Sequence, residues 1–194
     1  MAVLLETPYG AWWAVLAYQA GCAFAARAGR GTLGPRPATS GLVAVAAASA
    51  TVAFLLGAGA HAAGACLAAP SQWAAWGLAP PGDLLLLGLY LLCNPILEEW
   101  FWRGTLLQSG APRWGRARRV FAVLGFLPFH AVFLYQSFGA GLCALATLAI
   151  LAAALLWTAL RVRSGNTWWS VASHLGADVG VVALYVCFLR GQVG

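Results

Sequence analysis

Few side chains in this sequence can do acid–base chemistry, and most of those stand where charge is expensive. The five acids are Glu6, Asp83, Glu98, Glu99 and Asp178, and the three histidines are His61, His130 and His174. Glu98, Glu99, His130, His174 and Asp178 all lie inside long apolar stretches. A charge at the bilayer centre costs about 2.5–3.5 kcal/mol on insertion scales, so ionisable residues there are functional candidates by default. Carboxylates and imidazoles gathered in a low-dielectric site can activate a water and donate to a developing oxyanion. Spacing sharpens the assignment. Glu99 and Arg103 are four residues apart and can pair on one helix face, as can His174 and Asp178. Arg103 is expected to hold Glu99 ionised and oriented. That leaves Glu98, turned about 100° away on the helix, for chemistry.

The elements that must position these groups are membrane helices. The chain has 194 residues, 62% of them apolar and only 8% charged, and its mean hydropathy is +0.80. A soluble domain carries roughly 25% charged residues, so neither a soluble globular domain nor a disordered chain fits. Six apolar stretches can be drawn, at 9–27, 41–69, 84–108, 118–138, 140–160 and 167–189. Each is long enough to span, or nearly span, a bilayer, which takes roughly 20 residues. The expected fold is all-α: a polytopic membrane helix bundle of about six transmembrane helices. It forms one transmembrane domain over 1–194, with 84–189 as the core that carries the polar groups. Gly139 and Gly141 predict a tight turn between the fourth and fifth spans.

All eleven basic residues are Arg. Arg27, Arg30 and Arg36 lie in the first loop, Arg113, Arg116, Arg118 and Arg119 in the third, and Arg161 and Arg163 in the fifth. The positive-inside rule places these loops in the cytoplasm and both termini outside. The net charge of +6 therefore reports orientation rather than a nucleic-acid partner. The arginine-only, Ala- and Gly-rich composition fits a GC-rich bacterial genome, and hence a multi-pass protein of the bacterial cytoplasmic membrane. No Arg occurs in the first 26 residues, so a cleavable signal peptide is not expected. Cys22, Cys66, Cys93, Cys143 and Cys187 lie in apolar runs without CxxC spacing and read as packing residues.

Counting from the arginine-bearing ends converts sequence into depth. Glu98, His130, His174 and Asp178 lie about 8–12 residues in, which at 1.5 Å per residue is roughly 12–18 Å. Three separate helices thus bring acids and imidazoles to one layer, as a single polar site between helices requires. Pro95 precedes the Glu pair and Pro128 precedes His130. Each removes a helix hydrogen bond and can free a carbonyl near the site. Gly176 and Gly180 form a GxxxG on the last helix and predict close approach of a neighbour.

Three motifs stand in order: Glu98-Glu99-Trp100-Phe101-Trp102-Arg103 reads EExxxR, Phe126 to His130 reads FxxxH, and His174 to Asp178 reads HxxxD. Together they resemble the CAAX-protease and bacteriocin-processing family of intramembrane endopeptidases, the CPBP or Abi family. The resemblance covers roughly 84–189, with spans one and two reading as family-variable additions. It implies hydrolysis of a peptide bond near the C-terminus or membrane-proximal part of a membrane-associated protein or peptide. Glu98, Glu99, His130, His174 and Asp178 are then the catalytic set, with Arg103 and Phe126 supporting it. Glu98 with His130 would activate water, and His174 with Asp178 would stabilise the oxyanion. Asp178 departs from the Asn that often ends the third motif, and an ionised Asp cannot donate a hydrogen bond. Its alternative role is to orient His174. Relatives linked to bacteriocin maturation and to removal of C-terminal sorting tails extend the implied substrate classes.

No cofactor is expected. Two Glu, two His and an Asp could bind zinc, but there is no HExxH, and Arg103 beside Glu99 disfavours a second cation. A proton-coupled transporter would also use intramembrane Glu and His, but no internal repeat is visible. The expected partners are the lipid bilayer and a membrane-associated substrate, with no nucleic acid. Ser109, Ser137 and Ser173 form no Ser-His-acid signature, and His61 reads as a packed histidine.

Overall fold

The computed structural model describes residues 10–64, 74, 80–108 and 115–192, without the side chains of 11, 12 and 136–140. Glu6, Cys66, Ser109 and Arg113 lie outside the described residues, as does the Ser137 side chain. Six α-helices are present among the described residues: α1 Gly10–Ala28, α2 Thr39–Ala62, α3 Gly82–Glu99, α4 Gly115–Leu124, α5 Leu127–Ser164 and α6 Trp168–Leu184. A wider π-helical turn, Trp100–Thr105, extends α3, and a second, Tyr185–Leu189, extends α6. The protein is a polytopic all-α bundle.

Among the described residues, five segments are long and apolar enough to cross a membrane: Thr39–Ala62, Gly82–Thr105, Gly115–Tyr135, Gly141–Ser164 and Trp168–Gln192. The first of the six anticipated spans is not among them. Its helix, α1, has 19 residues, with Tyr18 and Gln19 in its middle and Arg27 in its last turn.

The hydrogen-bonded run of α5 is 38 residues long, but it is not one straight rod. Cys143 Sγ lies 3.5 Å from the Ala131 carbonyl oxygen. The rings of Phe126 and Trp157 are 5.7 Å apart. A straight helix would separate these pairs by roughly 18 and 46 Å. The chain therefore doubles back between 131 and 143, where the two glycines predict a turn. α4 and the first limb of α5 make one span, and the second limb makes the next. That limb ends at Gly165, whose φ of 66° is the left-handed cap that glycine adopts without strain.

Polarity is distributed inside-out, as lipid demands. Val43, Leu55, Leu56, Leu85, Leu92, Leu148 and Leu155 face outward, whereas Asn94, Glu98, Glu99, Arg103, Ser173 and His174 are buried. α6 lies against α2 along the GxxxG face. A Cβ on Gly176 would fall on the Ala46 carbonyl, and one on Gly180 on that of Ala50. The small-residue pair thus provides the close approach expected of it. Trp102, Val123, Phe126, Ala154 and Trp157 form an apolar cluster beneath the polar layer.

Loops one and five meet the π turn after α3 at one end of the bundle. Thr32 N donates to Gly104 O at 3.3 Å, and Thr167 N to Leu33 O at 3.1 Å. Arg119 and Arg163 line a single groove between α4 and the second limb of α5. Two of the arginines that set the predicted orientation therefore share a groove.

Candidate active site

The site begins with the inward face of α3. Asp83, Leu86, Asn94, Pro95, Glu98 and Glu99 are its buried residues, while Leu84, Leu85, Leu89 and Leu92 face outward. Pro95 deprives the helix of one backbone donor just before the Glu pair. The π turn that follows brings Arg103 in beneath Glu99. Single π turns of this kind recur at functional sites.

Arg103 is fully buried. Its Nη1 donates to Glu99 Oε1 at 2.8 Å and its Nη2 to the Ala154 carbonyl at 3.3 Å. Its guanidinium lies 4.9 Å from the centre of the Phe126 ring and 5.4 Å from that of Trp157. The ion pair, the carbonyl and two aromatic faces together offset the desolvation of this charge. The expected Glu99–Arg103 pairing is present.

His174 sits between the two glutamates. Its Nδ1 is 3.0 Å from Glu99 Oε1, and its Nε2 is 3.3 Å from Glu98 Oε2. A carboxylate only accepts, so Nδ1 carries a proton. Trp157 stacks on the imidazole at 4.0 Å and an angle of 14°. The indole N–H donates to Ser173 Oγ at 3.0 Å, and Ser173 in turn meets Ser49 Oγ at 2.8 Å. Ser173 is thereby a tie between α2, α5 and α6.

The group on His174 Nδ1 is Glu99, from α3. Asp178, one turn along the same helix, stands 3.7 Å from Nε2. The i,i+4 spacing brings His174 and Asp178 near each other, but the better hydrogen bond comes from across the helix interface. Asp178 is instead gripped by Asn94 Nδ2 at 3.2 Å.

His130 approaches from α5. Its Nδ1 is 2.9 Å from the Phe126 carbonyl oxygen. A carbonyl cannot donate, so Nδ1 bears the proton, and Nε2 of the neutral ring has a free lone pair. Nε2 faces Glu98 Oε1 at 3.8 Å. Pro128 stands in the first turn of α5, where a missing backbone donor is harmless. Phe126 stacks on His130 at 4.2 Å and lies edge-on to Trp102, Trp157 and His174.

Glu98, Glu99, His130, His174, Asp178, Arg103 and Phe126 are thus all brought together. His61 is not: its ring lies beside Phe188, 5.1 Å away. Three contributors were missed. Asn94 donates to Glu98 Oε2 at 3.2 Å as well as to Asp178. Gln19 of α1 donates to Asn94 Oδ1 at 3.2 Å. Tyr18 stacks on Phe129 at 3.8 Å, and its hydroxyl accepts from Trp102 Nε1 at 3.3 Å. Asn94 was findable as an uncharged polar residue one turn before Glu98. The two α1 residues carry no such signal.

Among the described residues, three buried atoms of the site have no hydrogen-bond partner: Glu98 Oε1, Glu99 Oε2 and Arg103 Nε. Among the described residues no three His, Cys, Asp or Glu side chains form a group able to hold a metal ion. Each imidazole Nδ1 is engaged by an acceptor, which leaves the two Nε2 atoms as the open ring positions, and Glu99 is paired with Arg103.

A family model described as type II CAAX prenyl endopeptidase, Rce1-like, matches residues 80–180, the part of the chain that supplies every charged member of the site. No curated protein and no solved structure matches the chain.

Proposed function

Since the chain belongs to the Rce1-like family of type II CAAX prenyl endopeptidases, we propose that it hydrolyses a peptide bond by metal-free, glutamate-activated water. The substrate would be a membrane-associated protein or peptide, cut near its C-terminus or a membrane-proximal segment. The observation that carries this reading is the facing pair of acceptors, buried Glu98 Oε1 and part-buried His130 Nε2, 3.8 Å apart. Two lone pairs at that separation repel unless a proton donor stands between or beside them. A water donating to both fits, and a water so held has its own lone pair directed outward.

The steps follow from that arrangement. The water oxygen attacks the scissile carbonyl carbon as its proton passes to Glu98, with His130 orienting it. The electron pair of the C=O bond moves to oxygen. The doubly protonated imidazole of His174, held at Nδ1 by Glu99, donates from Nε2 to that oxyanion. Glu98 then returns its proton to the departing amine nitrogen as the C–N bond breaks. Arg103 keeps Glu99 in place beneath His174. The protein is a multi-pass membrane protein, and we read its arginine-bearing end as the cytoplasmic face of a bacterial inner membrane.

The test is a fluorogenic prenylated CAAX peptide presented to the protein in liposomes. Glu98→Gln is expected to lower kcat by about 10³-fold with an unchanged thermal midpoint. Wild-type turnover by that variant would remove Glu98 from the mechanism. Turnover that vanishes with a chelator and returns with zinc would overturn the metal-free reading.

A further inference from the structure

The two oxygens of Glu98 are not equivalent. Oε2 accepts from Asn94 Nδ2 at 3.2 Å and stands 3.3 Å from His174 Nε2. Among the described residues Oε1 has no partner in hydrogen-bond geometry and faces His130, while the Tyr18 hydroxyl stands near the carboxylate. Something must keep the carboxylate from exchanging these roles.

Asn94 is that constraint. Its Nδ2 faces Glu98 Oε2, Asp178 Oδ2 at 3.2 Å and His174 Nε2 at 3.5 Å. Its two amide hydrogens thus serve two carboxylates. A flipped amide would set its carbonyl oxygen against both of them. The amide is held the right way from behind, where its Oδ1 accepts from Gln19 Nε2 at 3.2 Å. Gln19 is itself buried, in the middle of α1. A buried primary amide in a membrane helix is destabilising unless bonded, and this one spends its hydrogen bond on a residue with no charge of its own. Tyr18, stacked on Phe129 and bonded to Trp102, keeps α1 in the register that lets Gln19 reach.

We propose that Gln19 and Asn94 form a positioning pair: Gln19 fixes the orientation of the Asn94 amide, and Asn94 pins Glu98 Oε2, so that Oε1 is the oxygen left to act as base. This rests on the reading of Glu98 as base. It makes α1, which lies outside the family-matched residues, part of the working site.

The chain has five carboxyl side chains, so the infrared carboxyl bands of the intact protein in liposomes can be resolved. The Glu98 band is the one lost in Glu98→Gln. Gln19→Met removes the amide at nearly constant volume, and Asn94→Leu removes its partner. Both are expected to shift the Glu98 band. On the prenylated peptide, Gln19→Met should lower kcat about tenfold at constant KM, the loss expected for one hydrogen bond. Asn94→Leu should lower it further. A Glu98 band unmoved in both variants overturns the proposal, even if their thermal midpoints fall, because a merely structural role would change stability alone. A shifted band alongside wild-type cleavage by Glu98→Gln would uphold the pair and refute the base, so the two failures are distinguishable.

Discussion

α3 and α6 are joined at both ends by buried carboxylates, and the two ends are built on different principles. At the N-terminal end of α3, Asp83 Oδ2 accepts from Tyr185 Oη at 2.7 Å and from Arg190 Nε at 2.8 Å. Its Oδ1 accepts from Arg190 Nη2 at 3.4 Å. Both oxygens are engaged, and the arginine reaches water. Roughly 22 Å along the same helix, Glu98 and Glu99 each leave an oxygen unpartnered, and the arginine is sealed inside. A closed cluster fastens two helices and can do nothing else. An open one is stabilised less than its polar content allows, and it keeps acceptors free for a reacting molecule. Both clusters are an acid and an arginine in a membrane helix. Their satisfaction distinguishes anchor from workshop.

That contrast can be broken in graded ways. The largest effect on stability is expected from Arg103→Ala, which strands Glu99 as a buried charge without a cation. The loss should be about 3–5 kcal/mol, read by chemical or thermal unfolding in detergent, and cleavage should disappear with it. Arg190→Ala at the other end removes a partly exposed partner. It should lower the thermal midpoint only slightly and leave turnover unchanged. Equal destabilisation by the two variants would show that the ends do not differ in kind.

A smaller effect tests the backing of the open end without touching a polar group. Gly176→Val drives a side chain into the Ala46 carbonyl and pushes α6 from α2. Overpacking of this sort costs about 1–3 kcal/mol, and the displacement of His174 should depress cleavage out of proportion to the stability lost. Cleavage that merely tracks the folded fraction would mean that α2 does not set the position of His174. The smallest effect is expected from Tyr185→Phe. It removes one donor from Asp83, about 1 kcal/mol, and turnover should stay at the wild-type rate. A drop in turnover would mean that the closed end is coupled to the open one.

Much of the site was legible because its residues are anomalous. In a chain with so few charges, an acid or imidazole inside an apolar run is conspicuous. Glu98, Glu99, His130, His174 and Asp178 were found this way, and Arg103 and Phe126 through their spacing from them. The Gly176–Gly180 pair announced a close helix contact, though not that α2 would supply it. Asn94, Tyr18 and Gln19 were not found. They are uncharged, and their importance lies in which neighbour they touch. The partner of His174 Nδ1 was not legible for a related reason. Spacing along one helix shows which residues can meet within it, but not that Glu99 on another helix reaches His174 Nδ1 first.

What the sequence determines by itself is axial position. A membrane helix must satisfy its own backbone, so it rises by a fixed step per residue, and counting from the arginine-rich ends puts Glu98, His130, His174 and Asp178 at matching levels. What only the tertiary structure decided is azimuth. The rotation of each helix about its axis follows from the glycine face of α6 against α2, the π turn after Glu99, and the seating of α1 on Phe129 and Trp102. Those contacts select which glutamate oxygen looks at which imidazole nitrogen, because a helix free to turn in lipid has no other reason to stop.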